Sequence, residues 1–165
     1  MGVRIAVVTV SDSASNGART VDVSGDTAQQ MLEGAGFTVA VREVVPDERF
    51  VIAQTLRRLC ALEDISCVIT TGGTGIGPRD VTPEATLDVI DKSLPGIAEA
   101  MRAESLKKTP FAMLSRQVAG VCNRTLIVNL PGSPKAVAEC LDVVLPVLRH
   151  AVQLMAGNTS HRETP

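Results

Sequence analysis

Three stretches of the chain are apolar and rich in β-branched residues almost without interruption. They cover residues 4–10, 67–71 and 125–130. Such continuous runs are typical of parallel strands that are buried on both faces of a sheet. A fourth stretch, residues 37–45, alternates only in part, and this pattern predicts a strand nearer the edge of the sheet.

Helical patterns fill the intervals between these strands. Helices are predicted over residues 27–33, 48–62, 83–90, 97–106 and 135–155, the last with a kink at Pro146. Because strands and helices alternate, the predicted fold class is α/β: a three-layer sandwich with a largely parallel sheet and helices on both faces. Residues 1–157 are expected to form a single domain, and residues 158–165 a flexible C-terminal tail.

Polar residues follow each predicted strand. Ser11 and Asp12 come after the first, Asp47 after the second, residues 71–80 after the third and residues 131–135 after the fourth. In open α/β sheets, ligands bind at the carboxyl ends of the strands, so this convergence predicts a binding site at one edge. For Asp47 an alternative stays open, because Asp is also among the best N-caps and a helix is predicted to follow it directly.

The third strand leads into a glycine-rich loop at residues 72–77. Glycine accepts positive φ angles and lets the backbone approach a ligand, and successive N–H groups in such a loop form an anion-binding concavity. Thr82 is the predicted N-cap of the next helix, and Pro83 and Glu84 suit its first turn. A strand, a glycine loop and a helix N-terminus in this order predict a cradle for phosphate or a nucleotide.

A plainer interpretation of the same loop is a strand-to-helix turn that happens to be rich in glycine. Glycine loops alone are weak evidence, and this one matches neither the P-loop pattern nor the dinucleotide-binding pattern. Asp80, on the same loop, favours the cradle. A carboxylate beside phosphates usually indicates bound Mg²⁺ or a hydrogen bond to the edge of a base.

Composition narrows the classes of function. The 165 residues carry a net charge of −2 and no basic block, which argues against general nucleic-acid binding. No apolar run is long enough to span a membrane and no signal peptide is evident, so a cytoplasmic location is expected. The four cysteines are expected to be buried free thiols, and neither His150 nor His161 has a partner at zinc-ligand spacing. Tyr and Trp are absent, so a ligand must be held by backbone, glycine loops and carboxylates.

Five motifs in sequence order now make a resemblance visible. They are Thr9-Val10-Ser11-Asp12, Val45-Pro46-Asp47, Thr70-Thr71-Gly72-Gly73-Thr74-Gly75, Pro78-Arg79-Asp80-Val81-Thr82-Pro83-Glu84 and Leu130-Pro131-Gly132-Ser133-Pro134-Lys135. With them, the chain resembles the molybdopterin-binding domain family, and within it the stand-alone adenylyltransferases of the MoaB/Mog type. The match runs from about residue 4 to about residue 155, nearly the whole chain.

The resemblance implies an activity in molybdenum cofactor biosynthesis. Members of this family use Mg-ATP to adenylylate molybdopterin and release pyrophosphate, so Mg²⁺, ATP and molybdopterin are the implied cofactor and substrates. A homotrimer, in some members a hexamer, is implied as the assembly. A molybdenum insertion enzyme is the implied later partner.

The resemblance also implies roles for individual residues. Asp47 and Asp80 match the two essential acidic positions, as catalytic residues and as Mg²⁺ ligands. Ser115 and Arg116 match a position near the substrate phosphate. The full set of implied binding residues is Asp12, Ser13, Thr71, Gly72, Gly73, Thr74, Gly75, Ser115, Arg116, Pro131, Gly132 and Ser133.

Three functions fit these motifs. The first is an active adenylyltransferase, favoured because both acids are present. The second is a non-catalytic carrier that binds molybdopterin, since the motifs for binding and for catalysis overlap. The third is a scaffold, because the same domain also occurs fused within larger proteins; the chain of 165 residues, without a second domain, counts against it.

Overall fold

The computed structural model describes residues 2–158 and contains one six-stranded sheet. Its strands are β1 (Arg4–Val10), β2 (Thr38–Val45), β3 (Cys67–Thr71), β4 (Lys92–Ser93), β5 (Ala119–Cys122) and β6 (Thr125–Leu130), in the spatial order β2-β1-β3-β6-β5-β4. The first four strands in this order pair in parallel, whereas β5 pairs antiparallel with β6 and β4 pairs antiparallel with β5. The largely parallel sheet is confirmed, and β2 lies at its edge as the partial alternation predicted.

Helices cover both faces of this sheet. They are α1 (Asp12–Ser15), α2 (Val23–Gly34), α3 (Arg49–Cys60), α4 (Thr82–Leu87), α5 (Pro95–Leu106) and α6 (Pro134–Met155), with a 3₁₀ helix at Pro110–Leu114. Alternate residues of each strand point to opposite faces, so Ile5 joins a core with α2, α5 and α6, whereas Ala6 joins a core with α3 and α4. The predicted three-layer α/β sandwich is confirmed.

The sequence patterns did not predict β4, β5, α1 or the 3₁₀ helix, and they placed the start of α2 too late. β4 and β5 have only 2 and 4 residues and carry no long apolar run. Helix α2 begins at Val23, four positions before the predicted start, because the Asp22 carboxylate accepts a hydrogen bond from the Gly25 N–H and caps the helix there.

The structure tests the expectations about the cysteines and about membrane-spanning helices, and it leaves those about Pro146 and the tail untested. All four cysteines are buried free thiols, and burial raises the pKa of Cys60 to about 12, which makes it a poor nucleophile. No helix within residues 2–158 is long and apolar enough to cross a bilayer. Helix α6 continues through Pro146, and the kink there stays a prediction. His161 and nearly all of the expected tail lie outside the described residues.

Candidate functional site

The carboxyl ends of the four parallel strands meet around a cavity of about 240 Å³, called here the polar cavity. Each strand end contributes to its wall, as the polar residues after the strands predicted. The residues that line it are Thr9, Val10, Ser11, Arg19, Asp22, Ser24, Asp47, Thr71, Gly72, Gly73, Asp80 and Gly132. The predicted acids Asp47 and Asp80 therefore face the same space.

Asp12 and Asp47 join the ends of β1 and β2. The Asp12 N–H donates to the Asp47 carboxylate at 2.8 Å, and the Asp47 N–H donates to the Asp12 carboxylate at 3.0 Å. Helix α3 takes its N-cap from Glu48 instead, without a side-chain capping bond. The alternative that Asp47 caps this helix is therefore wrong, and its carboxylate is left at the wall of the cavity.

The two carboxylates of this pair differ in their electrostatics. Two hydrogen bonds from the Arg79 guanidinium, each of 2.9 Å, hold the pKa of Asp12 below its ordinary value. Burial raises the pKa of Asp47, and the nearby charges of Asp12 and Asp80 raise it further, although the Asp12 N–H acts in the opposite direction. Asp47 is thus a carboxylate whose charge is poorly compensated within the protein.

This imbalance predicts how Asp47→Asn affects stability. An acid with a raised pKa in the folded state loses stability as pH rises from its ordinary value, 3.8, through the raised pKa. We expect the variant to have a higher melting temperature than the native protein at neutral pH. The difference should shrink in acid, where Asp47 is protonated in both the folded and the unfolded state. Thermal unfolding from about pH 3 to about pH 8 measures this. A difference that grows in acid, or an equal gain in the exposed control Asp64→Asn, would contradict the assignment.

Hydrogen bonds fix the start of the glycine loop to two neighbouring elements, β6 and α4. Gly72 has φ of 96° and Gly73 has φ of 67°, which are left-handed conformations that favour glycine. The Gly72 N–H donates to the Leu130 carbonyl at 3.1 Å, and the Gly72 carbonyl accepts the Thr82 hydroxyl at 2.9 Å. Thr82 is the first residue of α4, whose N-cap is Val81. Its predicted capping role is therefore wrong, and its hydroxyl supports the loop instead.

A buried chain of hydrogen bonds continues from Thr82 into the sheet. The Thr86 hydroxyl donates to the Thr82 carbonyl at 2.9 Å, and the Asn129 side-chain amide donates to the hydroxyls of Thr86 and Thr70, each at 3.0 Å. Asn129, Thr70, Thr82 and Thr86 are fully buried. The position of Gly72 is thus fixed by a network that reaches across β3 and β6.

Thr71 carries an unpartnered polar group at the cavity. Its side chain is 1% exposed and its hydroxyl has no hydrogen-bond partner within residues 2–158. An unsatisfied buried hydroxyl is uncommon because it loses its hydrogen bonds to water without replacement. An oxygen-rich ligand in the polar cavity would supply that partner.

Arg116 holds the loop from its other side. Its guanidinium donates to the carbonyls of Gly75 and Asp80, each at 2.7 Å, and pairs with the Glu84 carboxylate. Its backbone N–H donates to the Thr74 carbonyl at 2.8 Å. The resemblance placed Arg116 near a substrate phosphate, whereas in the structure its guanidinium bonds to the loop that carries Asp80.

We expect Arg116→Lys to destabilise the protein by about 2 kcal/mol. A lysine ammonium cannot bond both carbonyls and Glu84 with the fixed fork of a guanidinium. Arg49, which pairs with Asp88 through two bonds of 2.7 Å on the exposed surface, provides the matched control, and Arg49→Lys should cost less than about 0.5 kcal/mol. Urea unfolding of both variants tests this. Equal losses of unfolding free energy in the two variants would show that the contacts of Arg116 to the loop do not stabilise the protein.

Ser115 lines a separate cavity of about 200 Å³, called here the second cavity. Its hydroxyl donates to the Gln117 side chain at 3.0 Å, and Phe111, 76% exposed, lies along the same cavity. Pro131 lines the second cavity and Gly132 the polar cavity, so the turn after β6 separates the two. The structure therefore offers two adjacent spaces.

Several implied binding residues support the site without lining the polar cavity. The Ser13 hydroxyl lies 3.1 Å from that of Ser11, and Ser133 caps α6 by accepting the Ala136 N–H at 3.2 Å. Thr74 and Gly75 contribute carbonyls to Arg116, as described above. The sequence reasoning missed Arg19, Asp22 and Ser24, which lie in or after a polar, irregular stretch without a periodic signal.

Asp22 is a third carboxylate at the cavity, but its oxygens are occupied. One accepts the Gly25 N–H at 3.0 Å, and the other accepts the Thr9 hydroxyl at 2.5 Å and the Arg42 guanidinium at 2.8 Å. Its role is therefore to connect β1, β2 and α2. The carboxylates left for a ligand at the cavity wall are those of Asp47 and Asp80.

A metal ion at this site would need ligands beyond the protein. Within residues 2–158, no three His, Cys, Asp or Glu side chains cluster in a way that could hold one. Mg²⁺ is commonly bound by one or two carboxylates together with water and substrate phosphates. Two carboxylates that line one polar cavity, of which that of Asp47 is poorly compensated, fit that kind of magnesium site.

Comparison with known proteins identifies a matching family, similar sequences and similar solved structures. Residues 6–150 match the family described as a probable molybdopterin binding domain. The molybdopterin adenylyltransferase of Helicobacter pylori strain J99 is 45% identical over 158 residues, which cover 94% of this chain and 89% of the relative. That of Escherichia coli K12 is 45% identical over 145 residues, which cover 86% and 73%. The crystal structure of the molybdopterin biosynthesis enzyme MoaB from Thermus thermophilus gives a TM-score of 0.88 at 49% identity, covering 94% and 97%.

Proposed function

The chain belongs to the molybdopterin-binding domain family, and on that premise we propose that it transfers the adenylyl group of Mg-ATP to molybdopterin in molybdenum cofactor biosynthesis. In this reaction a terminal phosphate oxygen of molybdopterin forms a bond to the α-phosphorus of ATP. The bond from that phosphorus to the bridging oxygen breaks, and pyrophosphate leaves with the electron pair. The observation that carries the proposal is the placement of Asp47 and Asp80 around the glycine loop in one cavity.

Asp47 and Asp80 would hold Mg²⁺ in this site. The raised pKa of Asp47, caused by burial and by its acidic neighbours, marks a place where a cation relieves repulsion. When bound, Mg²⁺ neutralises charge on the reacting phosphates. The Gly77 N–H donates to the Asp80 carboxylate at 2.8 Å and orients it, so one oxygen stays available for a ligand.

The loop itself would bind the phosphates. The N–H groups of Gly73, Thr74 and Gly75 donate to no acceptor within residues 2–158, whereas those of Gly72 and Gly77 are already bonded. Gly73 lines the polar cavity, and Thr74 and Gly75 follow it directly along the loop. Together with the unpartnered Thr71 hydroxyl, these donors match the oxygens of a phosphate group. Such a reaction needs positioning and charge neutralisation more than a covalent nucleophile.

The second cavity suits a ring system better than a phosphate. It contains the exposed ring of Phe111, which offers a stacking face, and the polar groups of Ser115 and Gln117, which can bond ring heteroatoms. We assign one of the two ring systems, pterin or adenine, to this space. The turn at Pro131 and Gly132 would then lie between the ring and the reacting phosphates.

Pyrophosphate release by the purified protein tests the proposed activity. Release should require ATP, Mg²⁺ and molybdopterin together, and the product should contain AMP joined to molybdopterin. Tight binding of molybdopterin without any release would replace this proposal by the carrier function. Failure to bind either substrate would reject both.

The assembly and the setting of the reaction follow from the resemblance alone. We propose a homotrimer that acts in the cytoplasm and passes adenylylated molybdopterin to a molybdenum insertion enzyme. Light scattering coupled to size exclusion tests the first part, and a mass other than that of three chains, or six for a dimer of trimers, would reject it.

A further inference from the structure

A triphosphate in the polar cavity would place several negative charges beside Asp47 and Asp80. Mg²⁺ offsets part of this charge, and arginine side chains are the protein groups best suited to bond the rest. Arg19 lines the cavity, and three further arginines bond residues at or next to its wall: Arg42, Arg79 and Arg116. Their existing partners decide which of them is available to a ligand.

Three of these arginines are already committed to protein acceptors. Arg42 bonds the side chains of Asp22, Asp26 and Gln29. Arg79 forms two hydrogen bonds with the Asp12 carboxylate, as described above. Arg116 bonds the loop and Glu84. Each of these guanidiniums would have to give up a charge-assisted hydrogen bond before it could serve a phosphate in full.

Arg19 is the exception. It lines the polar cavity, is exposed, and forms no ion pair within residues 2–158. Its backbone is nevertheless anchored, because the Arg19 N–H donates to the Ser13 carbonyl at 2.7 Å and the Ala18 N–H donates to the Asn16 side chain at 3.0 Å. A fixed backbone with an uncommitted guanidinium is what a phosphate-binding position requires.

We propose that Arg19 binds the β- and γ-phosphates of the nucleotide and thereby the departing pyrophosphate. This inference rests on the proposed function. The β- and γ-phosphates carry most of the charge of ATP, and the bridging oxygen gains negative charge as its bond to the α-phosphorus breaks. A guanidinium at that position bonds the leaving group more strongly in the transition state than in bound ATP.

The test compares Arg19→Gln, Arg19→Lys and Arg4→Gln in the full chain. Arg4 pairs with Asp64 on the exposed surface at the opposite end of β1, so its variant makes the same change in net charge away from the cavity. Calorimetric titration with magnesium pyrophosphate and, separately, with AMP reports on the two parts of the nucleotide. The melting temperature of each variant checks that it is folded.

Arg19→Gln should weaken pyrophosphate binding by about tenfold or more and change AMP binding by less than about twofold. Arg19→Lys should recover part of the lost pyrophosphate affinity, because lysine restores the positive charge but not the paired hydrogen bonds of a guanidinium. Arg4→Gln should bind both ligands as the native protein does. Native-like pyrophosphate binding by Arg19→Gln, or equal losses for both ligands, would overturn the role of Arg19 alone. If the native protein bound neither ligand, the proposed nucleotide chemistry would fail and this inference with it.

Discussion

Replacing Asp80 with Asn should lower the rate of adenylyl transfer by at least about 100-fold. The side-chain oxygen that accepts the Gly77 N–H at 2.8 Å is retained in Asn, so the loop should keep its conformation. What is lost is the negative charge that would bind Mg²⁺ together with Asp47. The fold should therefore persist, and the melting temperature should stay within a few degrees of the native value.

Pyrophosphate release at saturating ATP and molybdopterin measures this effect. Asp64→Asn is the matched control, because it removes one exposed carboxylate that pairs with Arg4 outside the cavity. The control should turn over at the native rate. Turnover of the Asp80 variant within about threefold of native would remove Asp80 from the mechanism, and unfolding of the variant would assign it a structural role instead.

Replacing Gly72 with Ala should cost about 3 kcal/mol or more of folding free energy. The residue has φ of 96°, and an added Cβ would lie 2.3 Å from the Val10 carbonyl oxygen. Neither group can move easily, because Val10 pairs within the sheet and Gly72 is bonded to Leu130 and Thr82. The change should destabilise the whole fold as well as the loop.

Gly34→Ala provides the control for this variant. Gly34 lies in α2 and an added Cβ there has nothing within 4 Å, so alanine should leave the stability unchanged or raise it slightly. Urea unfolding of the two variants should therefore give results of opposite direction or clearly different size. A Gly72 variant as stable as the control would mean that the end of β1 can shift and that Gly72 is not rigidly held.

The parts of the fold that the sequence predicted best are those with one strong physical cause. The bounds of β1, β3 and β6 follow from burial on both faces, which requires a continuous apolar run. β5 and β4 escaped detection because a short antiparallel edge is stabilised by pairing with its neighbour and leaves little pattern of its own.

In the candidate site, too, some features could be predicted from the sequence and others could not. The meeting of Asp47 and Asp80 follows from topology, since carboxyl ends of parallel strands share one edge. The position of Arg19 depends on the path of an irregular segment, and the partners of the Arg116 side chain are 32 to 41 residues away in sequence. Contacts of that kind are set by packing, and local sequence patterns do not encode them.

The buried hydrogen bonds from Asn129 through Thr86 and Thr82 to Gly72 bear on the dynamics of turnover. Gly72 is bonded at both its N–H and its carbonyl, and the donor to that carbonyl is fully buried, so the Gly72 amide should exchange with solvent only during global unfolding. The start of the glycine loop therefore does not act as a lid. Substrates would enter a cleft whose wall at Gly72 is already shaped, and the catalytic cycle would proceed without a gating motion of that residue.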